Sequence, residues 1–453
     1  MAALGKDNPM RKGMVGMESA QHSVWSDTTT WESRPVLEND ITTDALIVGG
    51  GICGTLIAYF LKKAGVNCIV VEAKTICGGI TKNTTAKITA QHGLIYANLI
   101  KRFGIEKAKL YYESNIQAIQ RYRLLADQFP CDLEDKTAYV YSTDNNRKLE
   151  REAAAYQKLG INTQIQESSP LSLETKGILA MEKQAQFNPL KLLYALASEI
   201  DIYENTFVTK IEEQTATTSE NRKITANHII LATHYPLINI PGLYFMKLYQ
   251  HRSYVIALKG VPTLDGMYLD YKEDGHSFRT YEDLLLVGGG DHKTGKKGGG
   301  YAELRAFIKQ VYPDAIEQFH WATQDCMTLD KVPYIGRHRA GSKNLYVATG
   351  FNKWGMTGSM VAADLLSNLI VTGKSEWEEV YSPQRSIVYQ QLMVNLGAAT
   401  KGLLSIGSPR CTHMGCKLKW NAIEQSWDCS CHGSRFGESG HVIDNPAKKE
   451  IRL

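Results

Sequence analysis

The chain has 453 residues, enough for two or three domains with real cores, and 43% hydrophobic and 22% charged residues mark an ordinary globular protein, not a disordered one. A formal net charge of +4 is mild for this length, and no stripe concentrates the Lys and Arg residues, so a nucleic-acid partner is excluded. The longest uncharged run, Ala45 to Leu61, is slightly short for a membrane span and carries four glycines, so a buried strand turning into a helix is expected there instead.

Residues 1–40 are polar and aperiodic, and read as a leader draped on the surface with Trp25 and Trp31 as anchors. No apolar signal core precedes the first strand, which points to the cytoplasm, where cysteines are usually thiols, metal ligands or catalytic groups. Residues 42–74 run as apolar strand, glycine turn, apolar helix and second apolar strand, a βαβ unit. Gly49, Gly51 and Gly54 form G-x-G-x-x-G directly after the first strand, and Glu72 ends the second. The first glycine makes the tight turn, the second lets backbone approach a pyrophosphate, and the third lets helix and sheet pack closely. The helix N-terminus offers unpaired N–H groups to the anion, and Glu72 is placed to accept from a ribose hydroxyl.

Helical patterns follow over Tyr96–Phe129 and Arg147–Leu159, and Asn188 with Pro189 opens a further helix. Strand-like segments alternate from Ile200 to Val287, and another strand–turn–helix covers 344–370. Two segments imitate other sites. Gly290–Lys297 nearly spells a P-loop, but Lys297 stands where the magnesium-binding Ser or Thr belongs, so a solvated loop is expected. The run "LLLVGGG" before it lacks the helix and the acid-tipped strand of a second dinucleotide site.

A linker around Tyr381–Arg385 leads to the tail. There Cys411-x-His413 and Cys429-x-x-His432 are separated by fifteen residues, a donor set that suits zinc as well as iron. The first pair is too close for the usual zinc finger. Cys416 and Cys431 recur at matched places in both loops, and "CHGSRF" provides a glycine turn suited to backbone N–H groups pointing at sulfur.

Roughly residues 41–380 resemble the FAD-dependent amine and amino-acid oxidoreductases related to glycine oxidase, sarcosine oxidase and D-amino-acid oxidase. The resemblance rests on the βαβ unit, the loop Cys77–Gly93, "TFVTKIEE", "IILATH", "DKVPYIG" and "ATGFNKWGMTGS". It implies FAD, with Thr81, Lys82 and Asn83 wrapping the pyrophosphate and flavin, and the Val208 backbone holding adenine. Gly350, Phe351, Trp354 and Gly355 then face the flavin's pyrimidine end, where a helix N-terminus stabilises negative charge. His251, Arg252 and Tyr254, on a strand placed like the family's substrate-lining strands, are the catalytic candidates, with the loop residue His92 a weaker one. Each also suits an ordinary sheet or loop position.

The tail closely resembles the Rieske [2Fe–2S] family. That resemblance implies Cys411 and Cys429 on one iron, His413 and His432 on the other, and a Cys416–Cys431 disulfide. It also implies a Ser434 hydroxyl donating to a sulfur, and Phe436 where relatives often carry Tyr. Replacing two thiolates by neutral imidazoles raises the cluster's potential into roughly −150 to +300 mV. The loss of a donor at Phe436 is expected to lower it again.

The implied fold is α/β (α+β): a Rossmann-like FAD domain with an interleaved antiparallel-sheet substrate domain (about 95–185 and 245–325) over 41–380, and a small β-rich Rieske domain over 386–453. Ser386–Arg410 look poor in strands, so the Rieske part is expected to be shortened and to lean on the flavin domain or another subunit, and an oligomer is compatible with this. The expected activity is a flavin dehydrogenase that oxidises a small amine or amino acid and passes electrons singly through the cluster to an external acceptor. The alternatives are a reductase running the opposite way and a redox sensor without turnover.

Overall fold

The computed structural model describes residues 21–167, 169–386, 392–393, 397 and 409–452. Most of the strand-poor stretch expected over 386–410, and the first half of the polar leader, therefore lie outside the described residues.

The βαβ unit forms as its apolar runs dictate. The strand Ile41–Val48 pairs in parallel with Cys68–Val71 on one side and Lys223–Leu231 on the other. Leu345–Thr349 extends the parallel sheet beyond Lys223–Leu231, and Asp201–Tyr203 beyond Cys68–Val71. Cys68–Val71 and the last four residues of Ile41–Val48 are continuous buried hydrophobic runs because both sheet faces are covered there. The helices Ile52–Lys63 and Gly355–Thr372 pack against each other and share one core cluster.

The second sheet has nine strands. Its order runs Ile316–Thr328, Leu248–Lys259, Leu284–Lys293, Ser277–Tyr281, Met267–Asp270, Glu134–Ser142, Gly177–Gln186 and Lys87–Ile88, with Ile165–Gln166 beside Gly177–Gln186. Every pairing in it is antiparallel except that of Met267–Asp270 with Glu134–Ser142. Two stretches of chain build it, and between them the chain returns to the parallel sheet. One face carries Val255, Ala257 and Leu286 into the main core; the other carries Tyr254, Ile256 and Leu258 under the helix Gly300–Val311.

The helical pattern from Tyr96 forms a helix to Ala126, kinked at Gly104, whose φ of 83° is left-handed. Asn188 caps the helix Pro189–Ala197, its side chain accepting from Lys191 N at 3.3 Å. The P-loop imitation is the end of a sheet strand and the turn after it. Neither it nor "LLLVGGG", which lies within that strand, opens a phosphate-binding helix. The tail forms a third sheet of four short sequential strands, Leu418–Asn421, Ser426–Cys429, Arg435–Phe436 and Val442–Asp444. Among the described residues no helix is long and apolar enough to cross a membrane.

From residue 21 onward the leader is tied down. Trp25 is buried, donates to Thr84 O at 2.8 Å and meets Tyr281 edge-on; Trp31 stacks on Tyr194 and donates to Glu204. Val24 and Leu37 are buried as well, so anchoring is not confined to the tryptophans. Glu204 gathers three donors: Trp31 Nε1 at 2.9 Å, Arg34 N at 2.9 Å and Ile76 N at 2.7 Å. Glu204→Ala strands these donors and should cost on the order of 3 kcal/mol. The expected readout is a lower melting temperature with faster proteolysis between residues 28 and 40, and Glu204→Gln should lose less.

Candidate functional site

The glycine turn folds into a cradle that side chains would fill. A Cβ on Gly54 would lie 1.9 Å from Gly49 O, and one on Gly49 2.6 Å from Ala232 O. Thr81 Oγ1 accepts from Ile52 N at 3.0 Å, at the opening of the first helix. Glu72 ends its strand with the two carboxylate oxygens accepting from Gly50 N (2.8 Å) and Lys74 N (2.9 Å). Burial pushes its carboxyl above the usual range against those two bonds.

From this cradle a single cavity of about 1060 Å³ runs to the loop at the start of the helix Gly355–Thr372. Gly49, Gly51, Glu72, Thr81, Asn83 and Val208 line one end; Phe351, Trp354 and Gly355 line the other. Lys82 and Gly350 do not line it. Gly350 instead turns the chain with φ +72°, and a Cβ there would strike Thr328 Cγ2 at 2.3 Å. A glycine cradle, a strand-end carboxylate and a second helix N-terminus around one elongated cavity fit FAD.

Asn352 and Lys353 both sit in the left-handed region, with φ 51° and 73°. The Asn352 side chain holds that turn, accepting from Thr328 N at 2.7 Å and donating to Gly350 O at 2.6 Å. The turn sets Lys353 Nζ 2.7 Å from Asp291, 3.3 Å from Asp325 and 2.5 Å from Ser253 Oγ. Burial works against the ammonium, but the two carboxylates outweigh it and keep Lys353 charged. His251 lines the same cavity, and burial pushes it down to about 4, so it is neutral near pH 7. His92 stacks on Trp354 and bonds Tyr111 Oη at 2.6 Å; burial pushes it to about 3, which makes it a support for Trp354.

Arg252 and Tyr254 line the same cavity. A strand sends alternate side chains to opposite faces, and the polar heads of Gln250, Arg252 and Tyr254 turn to the cysteine-rich tail, away from the face that carries His251 and Ser253. The Arg252 guanidinium grips both oxygens of Glu424, a residue of the cysteine-rich tail, and Tyr254 Oη donates to the same carboxylate at 2.8 Å. Their polar heads are thus bonded to the tail.

In the tail, Cys416 and Cys431 form the disulfide, joining the two loops. Their sulfurs lie within 4.8 Å of Cys429 Sγ, but the bond between them leaves Cys411 and Cys429 as the buried free thiols. A hydrogen bond between Cys411 and Cys429 holds the first down to about 7 and the second well up. The His413 N–H lies 3.4 Å from Cys411 Sγ, and the Ser434 hydroxyl bonds the same sulfur. The His413 and His432 rings stand 4.9 Å apart, and the Nδ1 atoms of both are buried without a partner. Burial pushes the rings to about 4 and about 3, so both are neutral, as ligands must be. Two thiols and two orphaned imidazole nitrogens converging in one pocket fit a [2Fe–2S] cluster with mixed ligands.

The cluster loops lean on the flavoprotein part. Gln250 Nε2 donates to His432 O at 3.0 Å and Asn445 O at 2.9 Å, and Gln324 Nε2 to Gly433 O at 3.0 Å. Asn445 Nδ2 returns a bond to Thr233 O at 2.6 Å. A Cβ on Gly295 would meet Ser430 N at 2.5 Å, so the P-loop imitation packs against a cluster loop. Beside them lies an ion cluster: Arg435 pairs with Glu424, Asp428 and Asp444 while Arg252 pairs with Glu424. None of Asn239, Gln250, Gln324, Glu424 or Lys353 was singled out from sequence. Only strand alternation around His251 could have hinted at Gln250 and its neighbours.

Residues 44–369 match the family described as FAD dependent oxidoreductase, and residues 370–453 the Rieske [2Fe-2S] domain. The chain is similar to YhfW of Bacillus subtilis (strain 168), provisionally described as a Rieske 2Fe-2S iron-sulfur protein. The identity is 34% over 497 aligned positions, covering 96% of this chain and 98% of that protein. A chloroplastic cytochrome b6-f complex iron-sulfur subunit of Oryza sativa subsp. japonica is 34% identical over 101 residues, covering 21% of this chain and 44% of that protein. Among solved structures, glycine oxidase from Geobacillus kaustophilus has a TM-score of 0.65 at 20% identity, covering 76% of this chain and 99% of its own. L-proline dehydrogenase from P. horikoshii has a TM-score of 0.65 at 18% identity, covering 76% and 98%.

Glu424→Ala leaves Arg252 and Arg435 buried without their shared carboxylate, a loss of about 3–5 kcal/mol, read as a lower melting temperature and faster hydrogen exchange in Leu418–Cys429. Glu424 and Asp444 carry the matching pH dependence. Burial opposes their ionisation, but Arg252 and Arg435 hold both below their ordinary values of 4.5 and 3.8. Their stabilisation is therefore complete above pH 4.5 and fades as pH falls through the depressed values. Separately, Phe436→Tyr adds a hydroxyl donor beside the buried cysteines and should raise the cluster's midpoint potential in a redox titration.

Proposed function

The chain belongs to the FAD dependent oxidoreductase family and carries a Rieske [2Fe-2S] domain at its C-terminal side, and from that premise we propose that it is a dehydrogenase for a small amine or amino acid, working in the cytoplasm. The observation that carries this reading is the strand Leu248–Lys259. Its His251 and Ser253 line the flavin cavity, and its Gln250, Arg252 and Tyr254 bind the cluster-bearing tail. The tail segment Val442–Lys448 lines that same cavity. Both redox sites thus share one wall, which supports electron passage within the chain to an external one-electron carrier.

When bound, FAD takes an electron pair from an organic substrate and the cluster carries electrons one at a time. Oxidation of a CH–NH₂ group to an imine releases two electrons and two protons; water then converts the imine to a carbonyl and ammonia. The chain's own residues orient this chemistry. Thr81, Asn83 and the glycine cradle hold the dinucleotide, and the N-terminus of Gly355–Thr372 favours negative charge at the far end of the cavity. Cys411, Cys429, His413 and His432 hold the cluster.

Asp291 and Asp325 together carry one negative charge more than Lys353 neutralises, which suits a cationic amine. Neutral His251 offers hydrogen bonding beside them. The C–N substrates in the names of the glycine oxidase and L-proline dehydrogenase structures point the same way.

The test is the anaerobic visible spectrum of cluster-loaded holoenzyme before and after a panel of amines and amino acids. Bleaching of the flavin bands and then the iron–sulfur bands by one of them is expected. If none bleaches either centre while dithionite bleaches both, the dehydrogenase reading fails and the reductase direction takes its place.

A further inference from the structure

The ligand histidines raise a question about their other nitrogens. A neutral imidazole carries one proton, so a ring that binds iron through Nδ1 keeps its proton on Nε2. His413 Nε2 lies 3.1 Å from the side-chain oxygen of Asn239, a residue of the flavoprotein part. Asn239 is 7% exposed. Its backbone carbonyl accepts from Tyr244 N at 2.8 Å, and its Nδ2 faces Pro236 O at 3.5 Å, which leaves Oδ1 toward the histidine. Tyr235 meets the His413 ring at 6.2 Å and 76°. On the second ring, His432 is 4% exposed and its imidazole meets the Phe245 ring edge-on at 6.4 Å. One short segment, Asn239–Phe245, therefore bonds the outer nitrogen of His413 and covers the His432 ring.

We propose that Asn239 is a positioning and tuning residue for the cluster: its Oδ1 receives the Nε2 proton of His413, sets the reduction potential, and with Phe245 closes the histidine edge to quinols. An acceptor on the outer nitrogen makes the imidazole a more basic ligand, and a more basic ligand favours the oxidised cluster. A closed edge leaves a quinol hydroxyl no histidine nitrogen to bond. The cluster is thereby committed to the flavoprotein on its histidine side, and an external carrier must approach elsewhere.

The inference rests on the ligand set given above, which is checked separately by the EPR spectrum of the reduced wild-type holoenzyme and its loss in His413→Ala. The test of Asn239 is EPR-monitored redox titration of two variants. Asn239→Asp adds negative charge at the acceptor and should lower the midpoint, by a tenfold shift in the reduction equilibrium, about 59 mV for one electron. Asn239→Leu removes the acceptor and should raise it. Opposite shifts are not produced by mere loosening of the fold. Equal midpoints, or shifts of the same sign, overturn the proposal.

A second measurement uses the wild type alone. Decylubiquinol added in excess to dithionite-reduced holoenzyme should leave the cluster's g-values unchanged. A shift in g-values would show an open histidine edge and overturn the proposal even where a variant fails to load its cluster.

Discussion

The alternation of a β-strand is the constraint on which the two redox sites depend. Along Leu248–Lys259, His251, Ser253 and Val255 line the flavin cavity, whereas Gln250, Arg252 and Tyr254 bond the cysteine-rich tail, and Tyr254, Ile256 and Leu258 pack under the helix Gly300–Val311. A shift of register by one residue would send Gln250 and Arg252 to the cavity and His251 to the tail. Antiparallel neighbours on both sides hold that register through long ladders with Leu284–Lys293 and Ile316–Thr328. The sheet is therefore more than a wall of the substrate cavity. It is the frame that sets the distance between two electron carriers.

The ion cluster at the seam adds specificity more than net stability. Arg252 and Arg435 face three carboxylates, those of Glu424, Asp428 and Asp444, in a nearly dry setting. Desolvating five charges offsets much of their attraction. What the cluster does enforce is orientation, because each carboxylate has a partner only when the tail sits in one pose. The hydrogen bonds from Gln250 and Gln324 to backbone carbonyls of the cluster loop act in the same sense, since a tilted tail would leave buried amides unpaired.

Legibility in the sequence followed the range of the interactions. The βαβ unit and the two ligand loops are local: their spacing is set by one turn or one short hairpin, so Gly49, Gly54, Glu72 and the Cys/His pairs could be read directly. The seam is not local. Glu424 meets Arg252 across 172 residues, and Asn239 meets His413 across 174. An exposed-looking "NAIEQSW" turn carries no mark of a buried carboxylate. The placement of the strand did not reveal that Arg252 and Tyr254 also bond Glu424 of the tail. Lys353 was hidden differently, inside a motif read for its glycines, although only two consecutive left-handed residues aim it at Asp291.

A Rieske part this small needs help to keep two loops apart at cluster distance. Among the described residues its sheet has four short strands, and the core behind it holds Leu418, Phe436, Ala447 and Ile451 besides the cysteines. Small modules commonly rely on staples where burial is limited, and here three kinds coincide: the Cys416–Cys431 bond, the cluster ligands, and the flavoprotein surface. The third has a consequence the others lack. A module held by a disulfide alone could swing between partners. One whose His432 loop is bonded to Gln250 and whose His413 is bonded to Asn239 holds its cluster against the flavin domain. In this chain the contacts that support the cluster loops are the same ones that set them beside the flavoprotein part.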